Sequence, residues 1–188
     1  MSYSMPHENI FAAVLILIIV TDLKSQDRDP SSIRITPMDI KQFLRTKEPI
    51  WTYKTTARTE NICKMDRVRH VATVFMEFNR SYCYHGQREN IAMQGRFDLT
   101  NKAEMRVGRL GTLPACTEKV LYMSRDCTCA LILVSSLVTR RHYYELRVKN
   151  CSVEEGPNMD CRREFCRLRK RGTVLYHPFC HRRLRPDN

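Results

Sequence analysis

The chain has 188 residues, a formal net charge of +12, nine cysteines and one tryptophan. That length suits a single domain with a real core. No segment after the first twenty residues is apolar enough to span a membrane as a helix. The charge admits anionic partners, among them glycosaminoglycans, anionic lipids and acidic proteins, or simply a solvated basic surface. Nucleic acid is electrostatically possible, but a secreted chain, as the features below suggest this to be, rarely meets it.

Residues 10–20 are unbroken apolar and too short to cross a bilayer. Near the start of a chain such a run reads as the core of a secretory signal peptide, here 1–25, leaving a domain over 26–188. The segment before it has no Lys or Arg, and Leu23-Lys24-Ser25 is the nearest thing to a cleavage pattern. Two sequons, Asn79-Arg80-Ser81 and Asn150-Cys151-Ser152, agree with export and offer Asn79 and Asn150 as glycosylation sites. Outside the cytosol most cysteines pair. Nine is odd, so at least one thiol stays free or joins another molecule.

Residues 21–35 are polar and read as a flexible start. A short amphipathic helix follows. Thr36 suits its N-cap, Pro37 its first position, and Ile40, Phe43 and Leu44 share a face. It stops at Lys47-Glu48-Pro49. After Pro49 the residues are mostly β-branched or aromatic, which predicts a first strand. Trp51, Tyr53 and Thr55 then share a face, and Trp51 is expected to plug a barrel or floor its cavity.

Val68 to Phe78 reads as one strand, with Glu77 on the face of Phe75. Tyr82 to Gly86 reads as a strand end and turn. Ile91 to Phe97 predicts another strand, with Gly95 at a bend or bulge. Shorter strands are expected at Met105 to Leu110 and Lys119 to Met123. The apolar run from Cys127 to Leu137 and the segment Tyr143 to Val148 should form a hairpin. That pairing brings Cys151 near the start of the first strand, where Cys127 and Cys129 share a face and either could reach it.

Pro157-Asn158 opens a second helix over 159–171, with Gly172 as its stop. Cys161, Phe165 and Leu168 form its inner stripe, and Arg162, Arg163, Arg167, Arg169 and Lys170 its outer face. Thr173 to Tyr176 is a last short strand. The order predicts a mainly β protein: an eight-stranded antiparallel barrel with a short N-terminal helix and a C-terminal helix. A closed barrel has no sheet edges and can enclose one small ligand.

Nothing in the pattern points to an enzyme. There is no Gly-x-Ser-x-Gly, no His-Glu-x-x-His and no phosphate loop. Cys161, Cys166, His177, Cys180 and His181 lack the spacing of a zinc site, and no cofactor is expected. Candidate ligand contacts are Trp51, Tyr53, Phe75, Glu77, Phe97, Tyr122, Glu145 and Arg147. The basic residues from Arg162 to Arg171, with Arg182, Arg183 and Arg185, are the candidate glycosaminoglycan surface.

The helix leading into Glu48-Pro49-Ile50-Trp51, then Cys63, Asp126-Cys127, Glu145-Leu146, Pro157, Cys161, Phe165 and Cys180 resemble the pattern of tick salivary lipocalins, the histamine-binding protein family. The resemblance spans nearly the whole mature chain. It implies a secreted, disulfide-stabilised barrel that sequesters a host mediator, such as histamine, another amine, or an eicosanoid or fatty acid. It implies a Cys63–Cys180 bridge and tips the hairpin choice to Cys127–Cys151. Two departures stand out. Asp126 precedes the cysteine rather than following it, and Arg147 stands where Trp or Tyr is expected after Glu-Leu. Glu145 and Arg147 share a strand face, so if one points inward both do. The guanidinium would then pair with Glu145 and oppose a cationic amine. A neutral or anionic ligand is therefore expected over histamine.

Overall fold

The computed structural model describes residues 38–168 and 170–184. The apolar run at 10–20, the cap positions Thr36 and Pro37, Arg169 and Arg185 lie outside them. Helix α1, Ile40–Leu44, is capped by Asp39, whose Oδ1 accepts from the backbone N–H of Lys41 at 2.9 Å. Eight strands follow: β1 Ile50–Thr55, β2 Ile62–Val71, β3 Phe75–Tyr84, β4 Gln87–Phe97, β5 Glu104–Arg109, β6 Cys116–Met123, β7 Cys129–Ser136 and β8 His142–Lys149. Then come α2, Met159–Arg167, a two-residue strand β9, Thr173–Val174, and a single turn α3, Cys180–Arg183.

Each strand pairs antiparallel with the next, and β1 closes the ring by pairing with both β8 and β2. The contact with β2 is short: Ile50 with Asp66 and Trp51 with Met65. Beyond it the two strands part, and the C-terminal segment fills the gap. Lys54 and Thr55 pair with β9, the N–H of Leu175 donates to Tyr53 O, and the N–H of Cys63 donates to Leu175 O at 2.8 Å. The barrel is thus eight strands with a ninth wedged into one seam.

Two apolar clusters lie on opposite faces of the strands. Met76, Phe78, Met105, Val107, Val120, Ile132 and Val134 come from strands right around the ring and fill the barrel interior. Ile40, Phe43 and Leu44 of α1 join them, each at most 2% exposed, and close one end. The second cluster is one-sided. Trp51, Met65, Leu131, Leu146 and Val148 face outward and are covered by Phe165 of α2 and by Tyr176, Cys180 and Leu184.

Several expectations change. The chain reverses at residues 72–74, so Val68 to Phe78 is two strands; Ala72 N–H donates to Phe75 O across the turn. No Gly or Pro marks that reversal. The turn at His85-Gly86 has φ of 47° and 81°, as a type I′ hairpin requires. Gly95 sits in an unbroken register rather than at a bulge. A Cβ there would lie 2.9 Å from Met105 Sδ and 3.2 Å from Met76 Cγ, so the interior packing needs the missing side chain. Helix α2 ends at Arg167, short of Gly172, because the chain must cross back to place β9 beside β1.

Cys63 is bridged to Cys180, and Cys129 to Cys161. The second bridge replaces the expected Cys127–Cys151 pair. Cys129 is opposite Val148 on the outward face, directly under the inner stripe of α2. Cys127 lies before β7 at φ 56°, and Cys151 is exposed in the 3-10 turn after β8. In the chain-entropy account the bridges, spanning 117 and 32 residues, contribute about 5 and about 4 kcal/mol. Peptide mapping under non-reducing conditions should recover these two pairs. Cys151 and Cys166 are exposed and should be the first free thiols alkylated. Cys83 and Cys116 should resist, since burial pushes both thiols up, Cys116 to about 11. Early alkylation of Cys116 would contradict the described barrel interior.

Candidate ligand-binding site

The side chains inside the barrel change character along its axis. At the α1 end they are apolar. Toward the other end the same faces carry charge: Lys64 and Asp66 on β2, Arg80 on β3, Glu118 on β6, Glu145 and Arg147 on β8. Lys64 Nζ lies 2.5 Å from Glu145 Oε1. Arg80 donates through Nε and Nη2 to both oxygens of Asp66, at 2.8 and 2.7 Å, and to Glu118 at 2.9 Å. Arg147 Nη1 donates to Glu118 Oε2 at 2.6 Å, and its Nε donates to Glu145 Oε2 at 2.8 Å. Three cations and three carboxylates form one continuous neutral network.

The network fixes its own charge states. Burial alone would push the Glu145 carboxyl up, but Lys64, Arg147 and Arg80 outweigh it and hold the value at about 2. Burial likewise opposes ionisation of Glu118, and Arg147 and Arg80 prevail by a wider margin. Lys64 moves the other way. Burial and the Arg80 charge lower it, and Glu145 compensates only in part. The Tyr143 hydroxyl is driven above its ordinary range, by burial first and then by Glu145, so it stays protonated as a donor.

A pocket of about 140 Å³ opens above this network at the end opposite α1. Lys64, Arg80, Glu145, Tyr82 and Tyr143 line its floor and wall, with Thr55, Ala57, Thr59 and Asn61 at the rim and Leu175 beside them. The network meets the pocket unevenly. The side chains of Lys64 and Arg80 are 11% and 12% exposed, that of Asp66 is 7%, and those of Glu118, Glu145 and Arg147 are 2% or less. The two most exposed members are therefore cations. The volume is well below the roughly 300 Å³ at which sites for drug-sized ligands begin. Toward α1 the interior is filled by Met76, Phe78, Met105, Val107, Val120, Ile132 and Val134.

The predicted contacts separate accordingly. Glu145 and Arg147 are inside the barrel and paired, Glu145 on the pocket floor and Arg147 behind it. Phe97 packs against the interior cluster, but at the α1 end, with Lys41 Nζ 4.6 Å from its ring centre. Trp51 neither plugs nor floors the cavity. Its face of β1 is the outward one, where its ring meets Tyr176 and His181 and its Nε1 donates to Asn150 Oδ1 at 2.9 Å. Tyr53 and Tyr122 belong to the same outer layer. Phe75 and Glu77 alternate with inward Met76 and Phe78, so they face out and are half-buried.

Asn79 is also outward in mid-β3, and Asn150 is tied to Trp51. Cys161 and Cys180 of the zinc candidates are in disulfides. On α2, Arg162 is bonded to Pro157 O, while Arg163 and Arg167 pair with Asp160 and Glu164. The basic stripe is thus partly neutralised. Sequence reasoning missed Lys64, Asp66, Arg80, Glu118 and Tyr143. A usable signal existed. Asp66, Arg80 and Glu118 each sit two positions from an apolar residue that points inward: Val68, Phe78 and Val120.

Replacing Arg147 by Met should destabilise the fold by about 3–5 kcal/mol in urea unfolding, because buried Glu118 loses its main partner and buried Glu145 is left with Lys64 alone. The acid limb should report the same network. The Glu145 contribution is complete above its ordinary 4.5 and is lost as the pH falls through about 2. The wild type should therefore lose stability across that window, and the Glu145→Gln variant should lose less.

Neither a protein-family model nor a curated protein matches the sequence. Solved structures do. Japanin from Rhipicephalus appendiculatus, described bound to cholesterol, is 14% identical with a TM-score of 0.51, over 69% of this chain and 92% of its own. The siderocalin Ex-FABP, described as having dual ligand specificities, is 11% identical with a TM-score of 0.53, over 70% and 93%. Insecticyanin from the tobacco hornworm Manduca sexta is 12% identical with a TM-score of 0.50, over 75% and 82%. At such identities the likeness is one of fold: this chain is built as a lipocalin barrel.

Proposed function

We propose that this protein is a small-molecule binder that receives a compact anionic or neutral polar ligand at the open end of its barrel, in preference to a biogenic amine. One observation carries the reading: of the paired network, Lys64 and Arg80 are the members most exposed at the pocket, whereas Glu118 and Glu145 are almost wholly covered. A carboxylate could bond to Lys64 and Arg80 together and accept from the Tyr143 hydroxyl. An ammonium would have to displace Lys64 or Arg147 from Glu145, leaving a buried cation without its partner. The 140 Å³ volume admits the head of a fatty acid or eicosanoid, not its whole chain.

We further read the protein as a secreted carrier of the tick salivary type that removes a host mediator by mass action. Support for this comes from the motif resemblance, from the fold likeness to Japanin and from two disulfides, which suit an oxidising compartment. Glycosylation at Asn79 and Asn150 belongs to the same proposal.

Calorimetry with benzoate, a long-chain fatty acid, histamine and serotonin tests the proposal. The carboxylates should bind, and Lys64→Met should weaken them at least tenfold while the protein keeps its circular dichroism spectrum. Micromolar binding of histamine would overturn the assignment. Tryptophan emission gives an independent check. Trp51 is outside the barrel, so ligand binding should leave its spectrum unchanged, whereas reduction of the disulfides should shift it.

A further inference from the structure

The rim of the open end carries a feature that pocket binding does not use. Four aliphatic side chains project from two adjacent loops there: Leu110 and Leu113 between β5 and β6, Leu137 and Val138 between β7 and β8. They are 47%, 86%, 50% and 81% exposed. The loops are held side by side, since the N–H of Leu137 donates to Ala115 O at 2.9 Å. Each loop turns through a left-handed residue: Gly111 has φ 80° and Arg140 has φ 56°. An exposed apolar group of this kind, rimmed by charge, marks a contact surface.

The charge around it is of one sign. Arg109, Arg140 and Arg141 flank the four side chains and are exposed. None of the three forms an ion pair with another described residue. Across the loops at this end, residues 56–61, 85–86, 110–115 and 137–141, the one carboxylate is Glu60, and it is paired with His85. On the β3–β4 hairpin, Tyr84 adds an aromatic side chain that is 44% exposed.

We infer that the open end of the barrel docks on an anionic lipid surface, with Leu113 and Val138 entering the interface and Arg109, Arg140 and Arg141 on the headgroups. The chemistry is complementary at both depths. Aliphatic tips gain by leaving water at the boundary between headgroups and chains. Arginines beside them are attracted by acidic lipid headgroups within a Debye length. The loops have irregular backbone, which is not tolerated in hydrocarbon, so insertion stops at the level of the side-chain tips. Docking in this orientation brings the pocket mouth to the bilayer surface. The inference goes beyond the proposed ligand and does not depend on it.

Cosedimentation of the full chain with phosphatidylcholine vesicles, with and without one quarter phosphatidylserine, tests the docking. Wild type should partition at least tenfold more strongly onto the phosphatidylserine vesicles. Leu113→Asp combined with Val138→Asp should cut that partition at least tenfold. Both positions are more than 80% exposed, so the fold should be unaffected. Arg163→Ala combined with Arg167→Ala, on the basic helix elsewhere, should stay within twofold of wild type. The inference is overturned if wild type ignores phosphatidylserine, or if the loop variant binds like wild type. It is also overturned if the α2 variant loses binding equally, which would make attraction general to a +12 chain. A dimer in sedimentation velocity that the loop variant dissolves would instead assign the patch to a second copy. Calorimetry on the pocket is a separate measurement, so either result can stand without the other.

Discussion

Six ionised side chains share the interior of one barrel, and the arrangement works only because each is paired. The water-excluded space makes an unpaired charge costly, whereas a closed set of alternating signs offsets much of its own desolvation. Arg147 is the centre of that set, reaching both Glu118 and Glu145. Its position forces the rest. Glu118 must point inward from β6, Arg80 must cross to meet it, and Asp66 must receive the other side of Arg80. A slip of one residue in any of these strands would turn a charge to the outside and leave a partner stranded. The network therefore specifies register more than it adds stability, and four strands are held to one alignment by it.

Under the proposed function, the same network decides what the barrel can accept. A cavity floored by apolar groups would take any greasy molecule of the right size. Here the floor is made of salt bridges, of whose members Lys64 and Arg80 are the most exposed. Ligand choice becomes a matter of which species can join a closed set of pairs without breaking it. The α1 end contributes by exclusion. Ile40, Phe43 and Leu44 fill the space that a longer ligand would otherwise enter.

Much of the architecture was legible in the residues. Alternation and turn chemistry give the hairpin at His85-Gly86, the β7–β8 pair and the strand after Pro49. The inward pairing of Glu145 with Arg147 follows from period two alone once one of them is known to face the interior. What could not be read is which face of a strand is the inner one. Trp51 illustrates this. A lone tryptophan on a strongly apolar strand looks like the heart of a barrel, yet both faces of β1 are covered, one by the interior and one by the C-terminal segment. Residues 50–52 are all buried, so alternation carries no signal there. The Cys129–Cys161 pairing was hidden for the same reason, because it needs α2 to lie on the outward face. The Cys63–Cys180 bridge reached the reading only through the family resemblance. The turn at residues 72–74 has none of the usual turn residues, so nothing local separates β2 from β3.

The wedge between β1 and β2 has a consequence in time. Residues 173–180 leave the ribosome after all eight barrel strands, yet Leu175 bonds both to Tyr53 on β1 and to Cys63 on β2. The earliest strand pair to be synthesised is thus among the last to be completed. Such a ring joins the two ends of its own sequence, and contacts of that separation are slow to form. Until they form, β1 and β2 present unpaired backbone along the stretch where they diverge. Without residues 173–176 the diverging stretch of β1 and β2 would present unpaired edges, and the last strand covers them.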